Sequence, residues 1–230
     1  MKDPRQFEEK IGIQFLNIDT LKEALTHRSY LNENPEWALP HNERLEFLGD
    51  AVLELIVTKF LYEKFPDFQE GHLTSLRASL VNYQMLGRVA KELTLDKFLF
   101  LSRGEARDFG KAREVILANA MEALLGAIYL DRGYDATKQV VEQWVLPHLD
   151  EIIEKKLYRD PKSELQELVQ ERERITPVYK VLSEEGPDHA KVFRVGVFIG
   201  HRMEAEAEGT SKQEAEVNAA LKALETIEQK

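Results

Sequence analysis

HNERLEFLGDAVLELI, His41 to Ile56, is apolar at Leu45, Leu48, Val52, Leu53 and Ile56, yet it carries Glu43, Glu46 and Asp50 with only Arg44 as a counter-charge. The three-and-four spacing of its apolar residues predicts a helix. On that helix Glu43, Glu46 and Asp50 fall along one face, and Glu54 extends the stripe in register. Two readings fit such a stripe: the solvated side of an amphipathic helix, or a row of oxygen ligands. This segment alone does not decide between them.

A second segment bears on the choice. In ILANAMEALLGAIYL, Ile116 to Leu130, the strongly polar side chains are Asn119 and Glu122, three residues apart on an otherwise apolar helix. A carboxylate buried without a partner is costly, or gives up its charge by binding a proton. Its presence implies a cation or a wet cleft. A divalent ion held by Glu46 and Asp50 on one helix and by Asn119 and Glu122 on the other answers both anomalies. The chain has no cysteine and six scattered histidines without an H-x-x-x-H pair, so the ligands are oxygens, as Mg²⁺ or Mn²⁺ prefers.

Outward from these two segments, helical periodicity runs through the first 155 residues or so: LKEALTHRSYL, ERLEFLGDAVLELIVTKFLYEKF, LTSLRASLVNYQMLGRVAKEL, REVILANAMEALLGAIYLDRGY and ATKQVVEQWVLPHLDEIIEKKL. Loops such as NENPEW, FPDFQEG and SRGEARDFGK separate them. After EKKLYRDPKS the pattern changes. A helix from about Pro161 to Glu173 precedes three strand-like stretches, TPVYKVLSEEG, AKVFRVGVFIG and HRMEAEAEG, and SKQEAEVNAALKALETIEQK closes the chain as a helix with Thr210 or Ser211 as its cap. The expected architecture is a mainly α domain over 1–155, a linker over 156–160, and a small α+β domain of order α-β-β-β-α over 161–230.

The size of 230 residues and a hydrophobic content of 43% suit two such units. No apolar run reaches the roughly 18 residues of a membrane span, and MKDPRQFEEK lacks the pattern of a secretory leader, so no membrane partner and a soluble, cytoplasmic protein are expected. A net charge of −10 by itself argues against a nucleic-acid partner. Residues 1–158 hold 20 basic against 26 acidic side chains, however, and part of that excess is the proposed ligand set, which a bound cation offsets. Net charge therefore does not veto RNA.

HNERLEFLGDAVLE closely resembles the signature of the bacterial ribonuclease III family, and ILANAMEALLGAIYLDRGY resembles that family's second acidic motif. ALTHRSY and EGHLTSLRASLV, Glu70 to Val81, are similar as well, so the resemblance spans nearly the whole chain. It implies an endonuclease domain that cleaves double-stranded RNA, leaving 5′-phosphate and 3′-hydroxyl ends and short 3′ overhangs, with Mg²⁺ as cofactor and Mn²⁺ as a substitute. It also implies a homodimer formed through that domain and a role in rRNA or mRNA processing. It puts Glu46, Asp50, Asn119 and Glu122 on metal-ligand positions, with Glu43 and Glu70 assisting cleavage near the dimer interface. Metal-activated water does this chemistry without a nucleophilic side chain.

Residues 161 to 229 resemble a double-stranded-RNA-binding domain. Ser163, Gln166, Glu167 and Gln170 share one helical face, able to meet 2′-hydroxyls and base edges or merely to be wet. In GPDHAK the resemblance implies that the turn with His189 and Lys191 enters the next minor groove. GTSKQEAE sets Thr210, Ser211, Lys212 and Gln213 at a helix start that favours phosphate. Basic residues in SRGEARDFGKAR, Ser102 to Arg113, line the groove or sit in a solvated loop.

Two departures stand out. The family usually has Asp at the position of Asn119, and an amide oxygen ligates a divalent ion without adding negative charge. The alternatives are a tolerated variant and a cleavage-impaired protein that only binds double-stranded RNA. The family usually has a second Lys where Gln213 stands, and from Arg159 onward 11 basic face 15 acidic residues, so RNA capture is expected to be weak and salt-sensitive. An all-α nucleotide pyrophosphohydrolase also carries E-x-x-E helices, but it leaves the C-terminal unit without a role.

Overall fold

The computed structural model describes residues 3–107, 110–158, 160–187 and 191–228. These form two units, Met1–Tyr158 and Arg159–Lys230.

The first unit is helical: α1 (Pro4–Ile11), α2 (Ile18–Ala24), α3 (Arg28–Glu33), α4 (Glu43–Lys64), α5 (Glu70–Val81), α6 (Tyr83–Glu92), α7 (Lys111–Trp144) and α8 (Leu149–Glu154). Its centre is the pair α4 and α7. The inward face of α4 buries Leu45, Val52, Leu53, Ile56, Val57 and Leu61, and α7 is buried almost all round from Leu117 to Ile128. A helix of that kind belongs inside a core. Leu76 and Leu80 of α5, and Leu86 and Val89 of α6, close the core around it.

Several elements depart from the periodicity reading, each for a local reason. The stretch read as one helix through Leu21 and Leu31 breaks between α2 and α3. Thr26 is buried and bridges to Phe100, with Phe100 N–H donating to Leu25 O at 2.8 Å and His27 N–H to Phe100 O at 3.0 Å. The stretch from Leu73 to Leu93 breaks at Asn82, whose extended backbone ends α5 and whose side chain caps α6 by accepting from Met85 N–H at 2.9 Å. The two helices expected on either side of DRGY instead run together as α7, bent where Gly133 takes φ 82°. Such a φ costs glycine little and other residues more.

The second unit is α9 (Pro161–Glu173), a meander of β1 (Val178–Glu185), β2 (Val192–Ile199) and β3 (Arg202–Gly209), and α10 (Lys212–Glu228). The strands pair antiparallel in the order β1-β2-β3, with irregularities between Val181 and Ser183 and between Val197 and Phe198. Leu165 and Val169 of α9 and Ala219, Ala220, Ala223 and Leu224 of α10 cover Val197, Ile199 and Ala207 of the sheet. Asp160 caps α9 ahead of Pro161, and Ser211 caps α10 by accepting from Glu214 N–H at 3.1 Å. The α-β-β-β-α order is therefore as the sequence implies. No helix among the described residues is long and apolar enough to cross a membrane.

Candidate active site and nucleic-acid interface

The acidic site is made by how closely α4 and α7 cross. A Cβ at Gly49 would lie 1.8 Å from the Glu122 carbonyl oxygen, and one at Gly126 would lie 2.2 Å from that of Leu45. Only glycine at both positions allows the two backbones to touch here. Residues one turn to either side are thereby carried to the same seam. Ala24, Ala123 and Ala127 pack small side chains around Leu45 beside it. The start of α4 is fixed by buried Asn42, whose N–H donates to Thr26 O at 2.9 Å and whose side-chain amide donates to Ala24 O at 3.2 Å.

Glu46 and Asp50 follow from α4, Asn119 and Glu122 from α7. Glu122, half-buried, is pushed up to about 8 by burial first and then by the like charges of Asp50 and Glu46. Glu46 is also raised, by burial, then by Glu43, with the Asn119 amide pulling the other way and Asp50 adding to the rise. Glu46 is thus near enough to interact with Asp50, Asn119 and Glu122, and Asp50 with Glu122. The charges acting on Glu122 are both negative, so a cation at the seam relieves it. Among the described residues no three His, Asp or Glu side chains converge closely enough to form a ready-made metal centre. As a donor set, three carboxylates and one amide oxygen suit a hard divalent cation.

Glu43 stands one turn before Glu46, with Arg28 Nη1 3.6 Å and His41 Nδ1 3.9 Å from its carboxylate. A pocket of about 620 Å³ runs from Glu46 and Asn119 past Glu43 to His27, Arg28 and Asn32. Ser29 N–H donates to His27 Nδ1 at 3.3 Å, and burial holds the imidazole below its ordinary pKa. The sequence reading missed this rim: ALTHRSY is legible as a motif, but its place beside the acids depends on the bridge from Thr26 to Phe100. Glu70 lies elsewhere in the chain. It accepts from Thr74 Oγ1 at 2.8 Å and lines a separate groove with Tyr62, Phe68 and Arg77.

In the second unit Ser163, Gln166, Glu167 and Gln170 are all exposed along α9. Ser163 Oγ donates to Asp160 at 2.7 Å, and Gln170 Nε2 donates to Thr176 at 3.3 Å. At the start of α10, Glu214 accepts from Thr210 N–H at 2.7 Å while its own N–H donates to the Ser211 cap, so its carboxylate already stands where an anion would approach. Gln213 is exposed. Lys212 is held by Glu184 at 2.7 Å and lies over the Phe193 ring, and Lys191 is 3.9 Å from the same Glu184. The lysine expected to meet phosphate and the one in the turn expected to enter the minor groove thus share one carboxylate. His189 lies outside the described residues.

Residues 17–149 match the family model described as Ribonuclease-III-like, and residues 161–227 match the Double-stranded RNA binding motif. The chain is 46% identical to Ribonuclease 3 of Pelotomaculum thermopropionicum, over 94% of this chain and 90% of that one. It is 43% identical to Ribonuclease 3 of Dehalococcoides mccartyi, over 99% and 96%. The solved nuclease domain of ribonuclease III from Campylobacter jejuni, described for flexibility in a region involved in dimer formation, is 37% identical and superposes with a TM-score of 0.56 over 62% of this chain and 96% of its own. A helical unit with paired acidic motifs, followed by an α-β-β-β-α unit, therefore has a family as well as a shape: the chain belongs to the ribonuclease III family, with a double-stranded-RNA-binding motif as its second unit.

Proposed function

We propose that this ribonuclease cleaves double-stranded RNA by divalent-metal-dependent hydrolysis, with Glu46, Asp50, Asn119 and Glu122 holding Mg²⁺, or Mn²⁺ in its place. The observation that supports this best is that, beside the glycine crossing of α4 and α7, the charges acting on Glu122 are those of Asp50 and Glu46, both negative. When bound, the metal supplies an activated water and a counter-charge for the phosphate oxygens. Glu46, Asp50 and Glu122 provide the negative charge that localises the cation, and Asn119 contributes a neutral oxygen while its amide eases Glu46. The products are 5′-phosphate and 3′-hydroxyl ends.

The active form is a homodimer through the first unit. Along α4, Phe47, Ala51, Leu55, Thr58 and Tyr62 form an exposed stripe at helical spacing, with Phe47 81% and Tyr62 72% exposed, and such a face calls for a partner. Glu70 and Glu43 assist cleavage at that interface. Ser163, Gln166, Glu167 and Gln170, the turn with His189 and Lys191, and the start of α10 at Thr210, Ser211, Lys212 and Gln213 bind the duplex, and the protein works on rRNA or mRNA in the cytoplasm.

Incubating the full chain with end-labelled duplex RNA over a range of Mg²⁺ and Mn²⁺ concentrations tests this. Discrete products carrying 5′-phosphates are expected from duplex and not from a single strand. Absence of cleavage with retained duplex binding would favour the binding-only protein. Asn119→Asp is expected to lower the Mg²⁺ concentration needed for half-maximal rate, since a charged ligand holds the ion more tightly. An unchanged requirement would show that the amide suffices.

A further inference from the structure

We propose that Arg28 is a positioning residue of the cleavage site, docking a phosphate of the RNA strand that enters the pocket it shares with Glu46 and Asn119; this rests on the duplex-cleavage reading above. The pocket of about 620 Å³ is lined by Glu46 and Asn119 and also by Arg28 and Asn32. Three of its lining side chains, Glu43, Glu46 and Glu105, are carboxylates, and Arg28 is the one Lys or Arg among its described lining residues. A polyanion crossing so acidic a pocket needs positive charge at each end. Glu46 and Asn119, two of the proposed metal-holding residues, line one part of the pocket, and Arg28 lines another.

The geometry of Arg28 fits that task. Its side chain is 72% exposed, and Glu43 stands 3.6 Å away, near enough to orient the guanidinium but beyond hydrogen-bonding distance. A guanidinium has five N–H donors in a fixed fork that matches phosphate oxygens. Backbone placement is firm, because His27 N–H donates to Phe100 O at 3.0 Å immediately before Arg28, and Ser102 N–H donates to Ser29 Oγ at 3.1 Å immediately after it. Glu43 thereby acquires a role it can fill from outside the metal seam: it holds Arg28 toward the pocket.

The test compares wild type, Arg28→Ala and Arg28→Lys on one labelled duplex in Mg²⁺ across a salt series, with thermal melting alongside. Arg28→Ala is expected to raise KM about tenfold, the factor carried by one charge-assisted contact, while kcat changes less than threefold. The fall of log(kcat/KM) with log salt should become shallower by about 0.7–0.9, one phosphate contact's worth. Arg28→Lys should recover most of both, and the melting temperature should hold, since the side chain is exposed. A KM and salt slope like those of wild type, or a loss confined to kcat, would overturn the assignment of Arg28 while leaving the nuclease reading intact. Wild-type protein that leaves duplex uncut would instead overturn the nuclease reading itself, and Arg28's role with it.

Discussion

Glu122 is where pH acts most directly on this site. Its carboxyl sits at about 8, raised from 4.5 by burial and by Asp50 and Glu46. Below about 4.5 the group is protonated whether the chain is folded or not. Between 4.5 and about 8 the unfolded chain releases that proton while the folded one keeps it, so metal-free stability is lost as pH rises through this window. Glu122→Gln removes the penalty. In EDTA its advantage over wild type should be near zero at pH 4.5 and grow to about 1–2 kcal/mol at pH 8, after allowance for water reaching the half-open side chain. Thermal unfolding in EDTA at both values checks this, and an advantage that shrinks with rising pH would contradict it. Adding Mg²⁺ at pH 8 should then raise the melting temperature of wild type more than that of Glu122→Gln, because ligand binding stabilises the folded state that holds it.

At the scale of elements, the seam depends on two missing side chains rather than on the acids themselves. Gly49→Ala puts a methyl 1.8 Å from the Glu122 carbonyl oxygen, which is main chain and has no rotamer by which to yield. The helices must separate at the point where Asp50 and Glu122 face each other. A loss of about 3 kcal/mol or more is expected, a melting temperature lower by roughly 6–12 °C, together with weaker Mg²⁺ binding. Melting like that of wild type would show that the crossing tolerates a wider gap. This junction also marks where reading the sequence stops. The acids were legible because carboxylates on apolar helices are anomalies that periodicity exposes. The strands and final helix were legible because alternation, turn residues and the Ser211 cap all agree on them. Gly49 and Gly126 were not, since a glycine within a helix announces nothing about what approaches it. Nor were the break at Thr26 and the joining of α7 across Gly133, because both are decided by backbone pairing and by a single positive φ that apolar spacing does not record.

At the scale of the whole molecule, both units are acidic, with 20 basic against 26 acidic residues up to Tyr158 and 11 against 15 beyond it. For the first unit the excess includes the proposed ligands, and bound metal reverses its local sign. In the second unit several of the described positive groups are instead engaged by neighbouring carboxylates: Arg194 pairs with Glu206, Arg202 with Glu173 and Glu204, and Lys212 and Lys191 with Glu184. Lys212 holds the carboxyl of Glu184 below the usual range, so this pairing exists at neutral pH and a phosphate must compete with it. Exposed pairs of this kind are weak, and the competition is therefore modest and measurable. Glu184→Gln should tighten binding of a labelled duplex by about two- to fivefold in EDTA, where no cleavage intervenes. The salt dependence should steepen by up to about 0.7–0.9 as Lys212 becomes free to displace a counterion. The melting temperature should scarcely move, because the pair is at the surface. Affinity that stays constant or falls in an anisotropy titration would mean that Glu184 orders the lysines for RNA rather than withholding them.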